Sequence, residues 1–238
     1  MPVKRPSLVT GEIYHIVMRG IERRVIFPKK EDYFRFIHDL FEFNDEDTVL
    51  STFRIRCREQ GNNITGTVPV MSERRKRKLL VKILAFCLMP NHFHLLFYQL
   101  KKNGISHFMR KMGGYVTYIN QKYNRAGHLY QGRFRAVHIK GDSQLRNVFV
   151  YIHTNPIELI ESTWKTDGIK NFANGVKFLE KYRYSSYLDY IGKRNFPSVT
   201  NRELFEKIFK TPRNCQKFIK DWILHKTEIR NLKDIILE

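Results

Sequence analysis

Residues Ile83–Leu100 constrain the fold of this chain more than any other stretch. They read Ile-Leu-Ala-Phe-Cys-Leu-Met-Pro-Asn-His-Phe-His-Leu-Leu-Phe-Tyr-Gln-Leu. Two apolar runs rich in β-formers flank Met89-Pro90-Asn91, and the proline breaks the pattern into two strands. Side-chain alternation then puts His92 and His94 on one face, about 6–7 Å apart, and Phe93, Leu95 and Phe97 on the other. The apolar face enters a core. The two imidazoles, expected to be exposed side by side, can each offer a nitrogen to one divalent cation. They can equally be two histidines at a wet strand end, since metal binding is only one use of histidine.

A second stretch, Gln144–Pro156, carries Leu145, Val148, Phe149 and Ile152 at helical spacing. Asp142 or Ser143 can cap its start and Pro156 stops it. Asn147, Tyr151 and Asn155 form a polar row beside the apolar stripe. A tyrosine with an amide one turn later can present a nucleophile and a metal-ligand oxygen together. It can also be a half-buried phenol beside a helix-capping asparagine.

Charge narrows the partners. Among 238 residues, 43 Lys and Arg against 23 Asp and Glu leave a net charge of +20. Such an excess predicts a polyanionic partner, usually nucleic acid. No run of 18 apolar residues and no signal-peptide core is present, so a membrane is not expected and a cytoplasmic location is. Hydrophobic residues at 42% and aromatics at 13% are enough for one domain with a real core. Cys57, Cys87 and Cys215 are odd in number and unpatterned, which implies neither a zinc site nor a disulfide framework.

In chain order, Gly11–Met18 reads as a first strand followed by Arg19, Arg23 and Arg24, a guanidinium group suited to phosphates. Glu31–Asn44 reads as a first helix, with Tyr33, Phe34, Ile37, Leu40 and Phe41 on its buried side. Residues 45–80 read as an insertion whose basic run at 73–78 either reaches DNA or is merely solvated. Gly104–Tyr123 reads as one long helix that Gly113-Gly114 bends or packs closely. Arg110, Lys111, Lys122 and Arg125, interleaved there with tyrosines, could line a single-strand groove. Val137 and Ile139 alternate in a last strand, with Arg133 and Arg135 on one side facing the site or DNA. Glu158–Glu180 reads as a polar loop. Beyond it, Thr200–Glu203 forms a capping box for a helix through Phe209, and Thr211-Pro212 opens another.

The element order predicts a ferredoxin-like α+β fold, an antiparallel sheet with helices on one face, over residues 1–192. A small helical extension over 193–238 is expected to follow.

Three motifs, Cys-Leu-Met-Pro-Asn-His-Phe-His-Leu-Leu (87–96), Gly-His-Leu-Tyr-Gln-Gly-Arg-Phe-Arg (127–135) and Tyr-Ile-His-Thr-Asn-Pro (151–156), occur in this order. Together they resemble the single-tyrosine transposases of the HUH (His-hydrophobic-His) superfamily, in particular the REP-associated tyrosine transposase branch. The resemblance covers about residues 8–44 and 80–192 and implies the same fold. It also implies that Tyr151 is the nucleophile, ahead of Tyr115, Tyr118 and Tyr123, and that His92, His94 and Asn155 hold Mg²⁺ or Mn²⁺. The activity implied is that of a single-stranded DNA transposase or endonuclease that cleaves and rejoins DNA through a 5′-phosphotyrosine. The implied partner is single-stranded or hairpin DNA, bound by a monomer or homodimer. The chain departs from its relatives in two places: their connection from first helix to second strand is usually shorter, and some carry glutamine where Asn155 stands. A non-catalytic nucleic-acid-binding protein of the same fold is the alternative, and a metal-dependent hydrolase that activates water is a third reading.

Overall fold

The computed structural model describes residues 6–47 and 77–225. Most of the 45–80 segment, including Lys76 and the rest of the basic run before Arg77, lies outside them.

Four strands, β1 (Ile13–Arg19), β2 (Val81–Met89), β3 (His92–Gln99) and β4 (Arg135–Ile139), form one sheet in the order β2-β3-β1-β4. Every neighbouring pair is antiparallel. Between them run α1 (Lys30–Glu42), then α2 (Gly104–Lys111) and α3 (Gly113–Lys122). This is the α+β, ferredoxin-like arrangement expected: β1 and β2 run parallel with β3 between them. Pro90-Asn91 is the whole link between β2 and β3, so the break falls where the proline requires it.

Helices cover both faces of the sheet, which corrects the expectation of one. Phe93, Leu95 and Phe97 point to α1, α2 and α3 and join a core with Phe36, Phe108 and Tyr115. The opposite face carries Cys87, Met89 and Leu96 and packs under α4 (Asp142–Thr154) through Val148, Phe149 and Ile152. The cause is visible in β2. Its apolar residues are continuous rather than alternating, and such a strand must be buried on both sides.

The single helix expected over Gly104–Tyr123 is two, joined at Met112. A Cβ at Gly114 would stand 3.1 Å from the Phe43 ring, so a small residue lets α3 approach the end of α1. The segment read as a polar loop after Glu158 holds short helix α5 (Trp164–Asp167) and α6 (Phe172–Leu179). Asn171 caps α6 by accepting from the Asn174 amide, a signal hidden by the polar composition around it.

Further on come α7 (Tyr187–Tyr190), α8 (Glu203–Phe209) and α9 (Pro212–Leu224). Thr200 does not cap α8: Arg202 stands at its N-cap position, and Asn201 is instead tied to β2 through the Ile83 carbonyl, 2.8 Å away. Thr211 does cap α9, accepting from the Asn214 amide. Phe205, Phe209, Ile219 and Trp222 enter the same core as Phe149. The C-terminal helices thus build the layer that holds α4 against the sheet. Among the described residues no helix is long and apolar enough to cross a membrane.

Candidate functional site

His92 and His94 open β3, where the antiparallel register sets Arg19 and Met89 beside His92, and Val17 and Cys87 beside His94. The two imidazoles lie with ring centroids 4.9 Å apart. Above them, α4 brings Tyr151 edge-on to His94, with ring centroids at 5.5 Å and planes at 88°. Folding therefore joins the His pair and the tyrosine, 57 residues apart from His94 in sequence. The site is not the exposed strand end expected. His92, His94 and Tyr151 are 6%, 0% and 1% exposed because α4 lies over this face.

A residue that pattern reading passed over, His15 of β1, completes the group. Its Nε2 lies 3.0 Å from His94 Nδ1, and its ring stacks on His94 and meets Tyr151 edge-on. The signal was present in the sequence. Strand alternation sends Tyr14 and Ile16 to one core and His15 to the other face, a polar residue where an apolar one is the default. The back nitrogen of His92 is held as well, by Asn91 Oδ1 at 2.7 Å from Nδ1.

Asn155 follows Tyr151 by one turn and is fully buried. Its Nδ2 donates to the Tyr151 carbonyl at 3.0 Å, and its Oδ1 accepts from Lys165 Nζ at 2.9 Å. Lys165, also missed from the sequence, is paired with Glu158 at 2.6 Å and stands 5.3 Å from the Tyr151 ring centroid. The amide thus ends the helix and gives its oxygen to an ammonium.

The donor set fits a hard, labile divalent ion better than structural zinc. Among the described residues no group of three His, Cys, Asp or Glu side chains is placed to hold a metal. Two imidazole nitrogens and an amide oxygen leave the rest of a coordination sphere to water and substrate oxygens, which suits Mn²⁺ or Mg²⁺. With Nδ1 of both histidines engaged, Nε2 is the nitrogen each would give.

The arginines divide between the two faces. Arg19 sits directly across from His92, and Arg135 across from Val17, both on the histidine face. Arg23, at the end of a short 3-10 turn (Ile21–Arg23), and Arg24 and Arg133, on loops, are exposed at this end. Those loops are tied together: the Gly20 amide donates to the Asn91 carbonyl at 2.7 Å, and the Gln131 amide to the Arg19 carbonyl at 2.8 Å. Only glycine fits at position 20, where a Cβ would lie 2.2 Å from the Arg24 carbonyl oxygen. Arg110 and Lys111 stand on α2 and Lys122 on α3, with Arg125 just beyond it. Lys111 donates to the carbonyls of Asp45 and Asp47, and Lys122 to buried Asp32 at 2.6 Å. The rival tyrosines are on α3 or at its end. Tyr115 is buried, donates to the Ile26 carbonyl and has its pKa driven up by burial; Tyr118 and Tyr123 both donate to Asp32.

One further group on α4 fixes its position. His153 is buried and its Nε2 lies 2.7 Å from Ser186 Oγ, which also accepts from the Phe86 amide of β2. Burial pulls the His153 pKa down to about 3, against a partial upward pull from the Phe149 backbone. An unfolded histidine titrates near 6.5. Between about 3 and 6.5 the unfolded chain therefore binds one more proton, and this stability is full above that window and lost as pH falls through it. The expected slope is about 1.4 kcal/mol per pH unit within the window. Urea midpoints at pH 7 and pH 5 measure it, and His153→Gln is expected to flatten the difference.

Comparison with known proteins agrees with the motifs. Residues 56–155 match the family model described as "Transposase IS200 like". Among curated proteins none matches. A solved structure described as "Structure of the REP associates tyrosine transposase bound to a REP hairpin" aligns with a TM-score of 0.48 at 15% identity, over 84% of this chain and 92% of that chain. The resemblance to IS200-like transposases is thus found by a family model over residues 56–155 as well as in the three motifs.

Proposed function

We propose that this protein is a metal-dependent single-stranded DNA transposase that cleaves and rejoins strands through Tyr151. The observation that carries the reading is the packing of Tyr151 against His94, within the His92–His94 pair, on the one sheet face that also bears Arg19 and Arg135. A divalent ion held by His92 and His94 would neutralise charge on the scissile phosphate and polarise it. Tyr151 Oη forms the new bond to phosphorus and the P–O3′ bond breaks. The phenolic proton passes to water and the departing 3′ oxygen takes one up, leaving a 5′-phosphotyrosine and a 3′-hydroxyl. Because one phosphodiester replaces another, a second 3′-hydroxyl reverses the step without an external energy source. Arg19, Arg23, Arg24, Arg133 and Arg135 pair with backbone phosphates at the same end, and a hairpin or palindromic repeat is the proposed substrate.

Two consequences follow from the burial. Tyr151 is 1% exposed, so a DNA phosphate reaches it only if α4 shifts outward. Asn155 joins the ion only when Lys165 releases its oxygen. Lys165→Met, which removes that competing cation, is expected to tighten Mn²⁺ binding several-fold in a calorimetric titration. Unchanged or weaker binding would assign Asn155 to the helix end alone. The reading as a whole is tested by incubating the full chain with hairpin-forming single strands from its own genomic locus and Mn²⁺ or Mg²⁺. A covalent protein–DNA adduct that resists denaturation supports it. Binding without an adduct on any such strand favours the non-catalytic alternative.

A further inference from the structure

We infer that His15 is a positioning residue that locks His94 in the tautomer needed to hold the ion. The inference rests on the reading of His92 and His94 as metal ligands. His15 and His94 are both fully buried, on adjacent strands, with stacked rings whose planes lie 20° apart. A hydrogen bond joins them, between His15 Nε2 and His94 Nδ1 at 3.0 Å. In any neutral imidazole one ring nitrogen carries hydrogen and the other a lone pair. If His94 Nε2 gives its lone pair to a cation, His94 Nδ1 carries the hydrogen and donates it. His15 Nε2 must then be the acceptor, and His15 carries its own hydrogen on Nδ1. This one contact links the tautomers of both rings. Ligating histidines are routinely oriented in this way by a partner on the other ring nitrogen. His92 has the same support in Asn91, so both ligands are held from behind.

His15 is not itself a third ligand. Its Nε2 is used on His94, and no trio of His, Cys, Asp or Glu side chains among the described residues is placed for a metal. Nor is it a core residue by default: a phenylalanine would fill the same space under Tyr151 without any polar atom.

The test compares the full-length protein with His15→Phe, His15→Asn and His94→Ala. Mn²⁺ affinity is measured by titration calorimetry. Histidine tautomers are read from ¹⁵N shifts of the metal-free protein, with urea unfolding to check the fold. His15→Phe is expected to weaken Mn²⁺ binding about 10–100-fold, the usual cost of losing an orienting partner, and to release His94 from its Nδ1-protonated form. His15→Asn, which restores a carbonyl acceptor, is expected to recover most of both. His15→Phe with wild-type affinity and an unchanged His94 tautomer overturns the inference while leaving the metal site standing. Equal Mn²⁺ binding by wild type and His94→Ala overturns the metal reading, and this inference with it. If His15→Phe and His15→Asn lose affinity equally, the residue acts through packing and the inference also falls.

Discussion

Tyr151→Phe is expected to abolish adduct formation and strand cleavage, by a factor on the order of 10⁴ or more, because it removes the hydroxyl to which the attack is assigned. The substitution removes one oxygen from a packed ring. The ring keeps its edge contact with His94 and the core around Phe149 is untouched, so the unfolding midpoint is expected to stay within about 1 kcal/mol of wild type. Hairpin binding is expected to survive, since the substitution leaves the arginines in place. The competing tyrosines make the result informative. Tyr115, Tyr118 and Tyr123 lie on the α2–α3 side of the sheet, with their hydroxyls committed to Ile26 and Asp32. Residual cleavage by Tyr151→Phe at near wild-type rate would therefore point to water as the nucleophile rather than to a rival tyrosine.

His92→Ala and His94→Ala carry the second large effect. Each removes a proposed ligand, so the loss of Mn²⁺ affinity is expected to exceed the 10–100-fold that follows from losing an orienting partner. Cleavage is expected to fall with it at any fixed ion concentration. The two variants should differ in stability. His94 is fully enclosed between β1, β2 and α4, and its truncation leaves a cavity and breaks the bond to His15, whereas His92 sits at the strand end beside Arg19. His94→Ala is therefore expected to lose about 2–3 kcal/mol of folding stability and His92→Ala less. Chemical denaturation beside calorimetry separates the two effects. Wild-type ion binding in both variants would remove the metal from the account.

The strands and the spatial grouping of the candidate residues were legible because each rests on a local rule. Pro90 fixes the break between β2 and β3, alternation sorts His92 and His94 from Phe93, and a 3.6-residue period puts Tyr151 beside the buried stripe of α4. What escaped was set by tertiary packing. Nothing local to β3 says that α4 and the C-terminal helices will cover its histidine face, although the unbroken apolar run of β2 implied some cover. His15 and Lys165 belong to the site through contacts across 79 and 10 residues respectively, and neither stands in a recognisable motif. Nor could the sequence show that Lys111 donates to the carbonyls of Asp45 and Asp47, or Lys122 to the Asp32 carboxylate. A basic side chain reports its charge in the sequence but not its partner.

The most direct measurement is the location of the covalent bond. After reaction with a hairpin-forming single strand and Mn²⁺, nuclease trimming and peptide mass spectrometry of the adduct identify the modified residue. The account predicts a 5′-linked nucleotide on Tyr151 and on no other tyrosine, absent when His92 and His94 are replaced. A nucleotide on Tyr115, Tyr118 or Tyr123, or cleaved DNA with no protein attached, would contradict it.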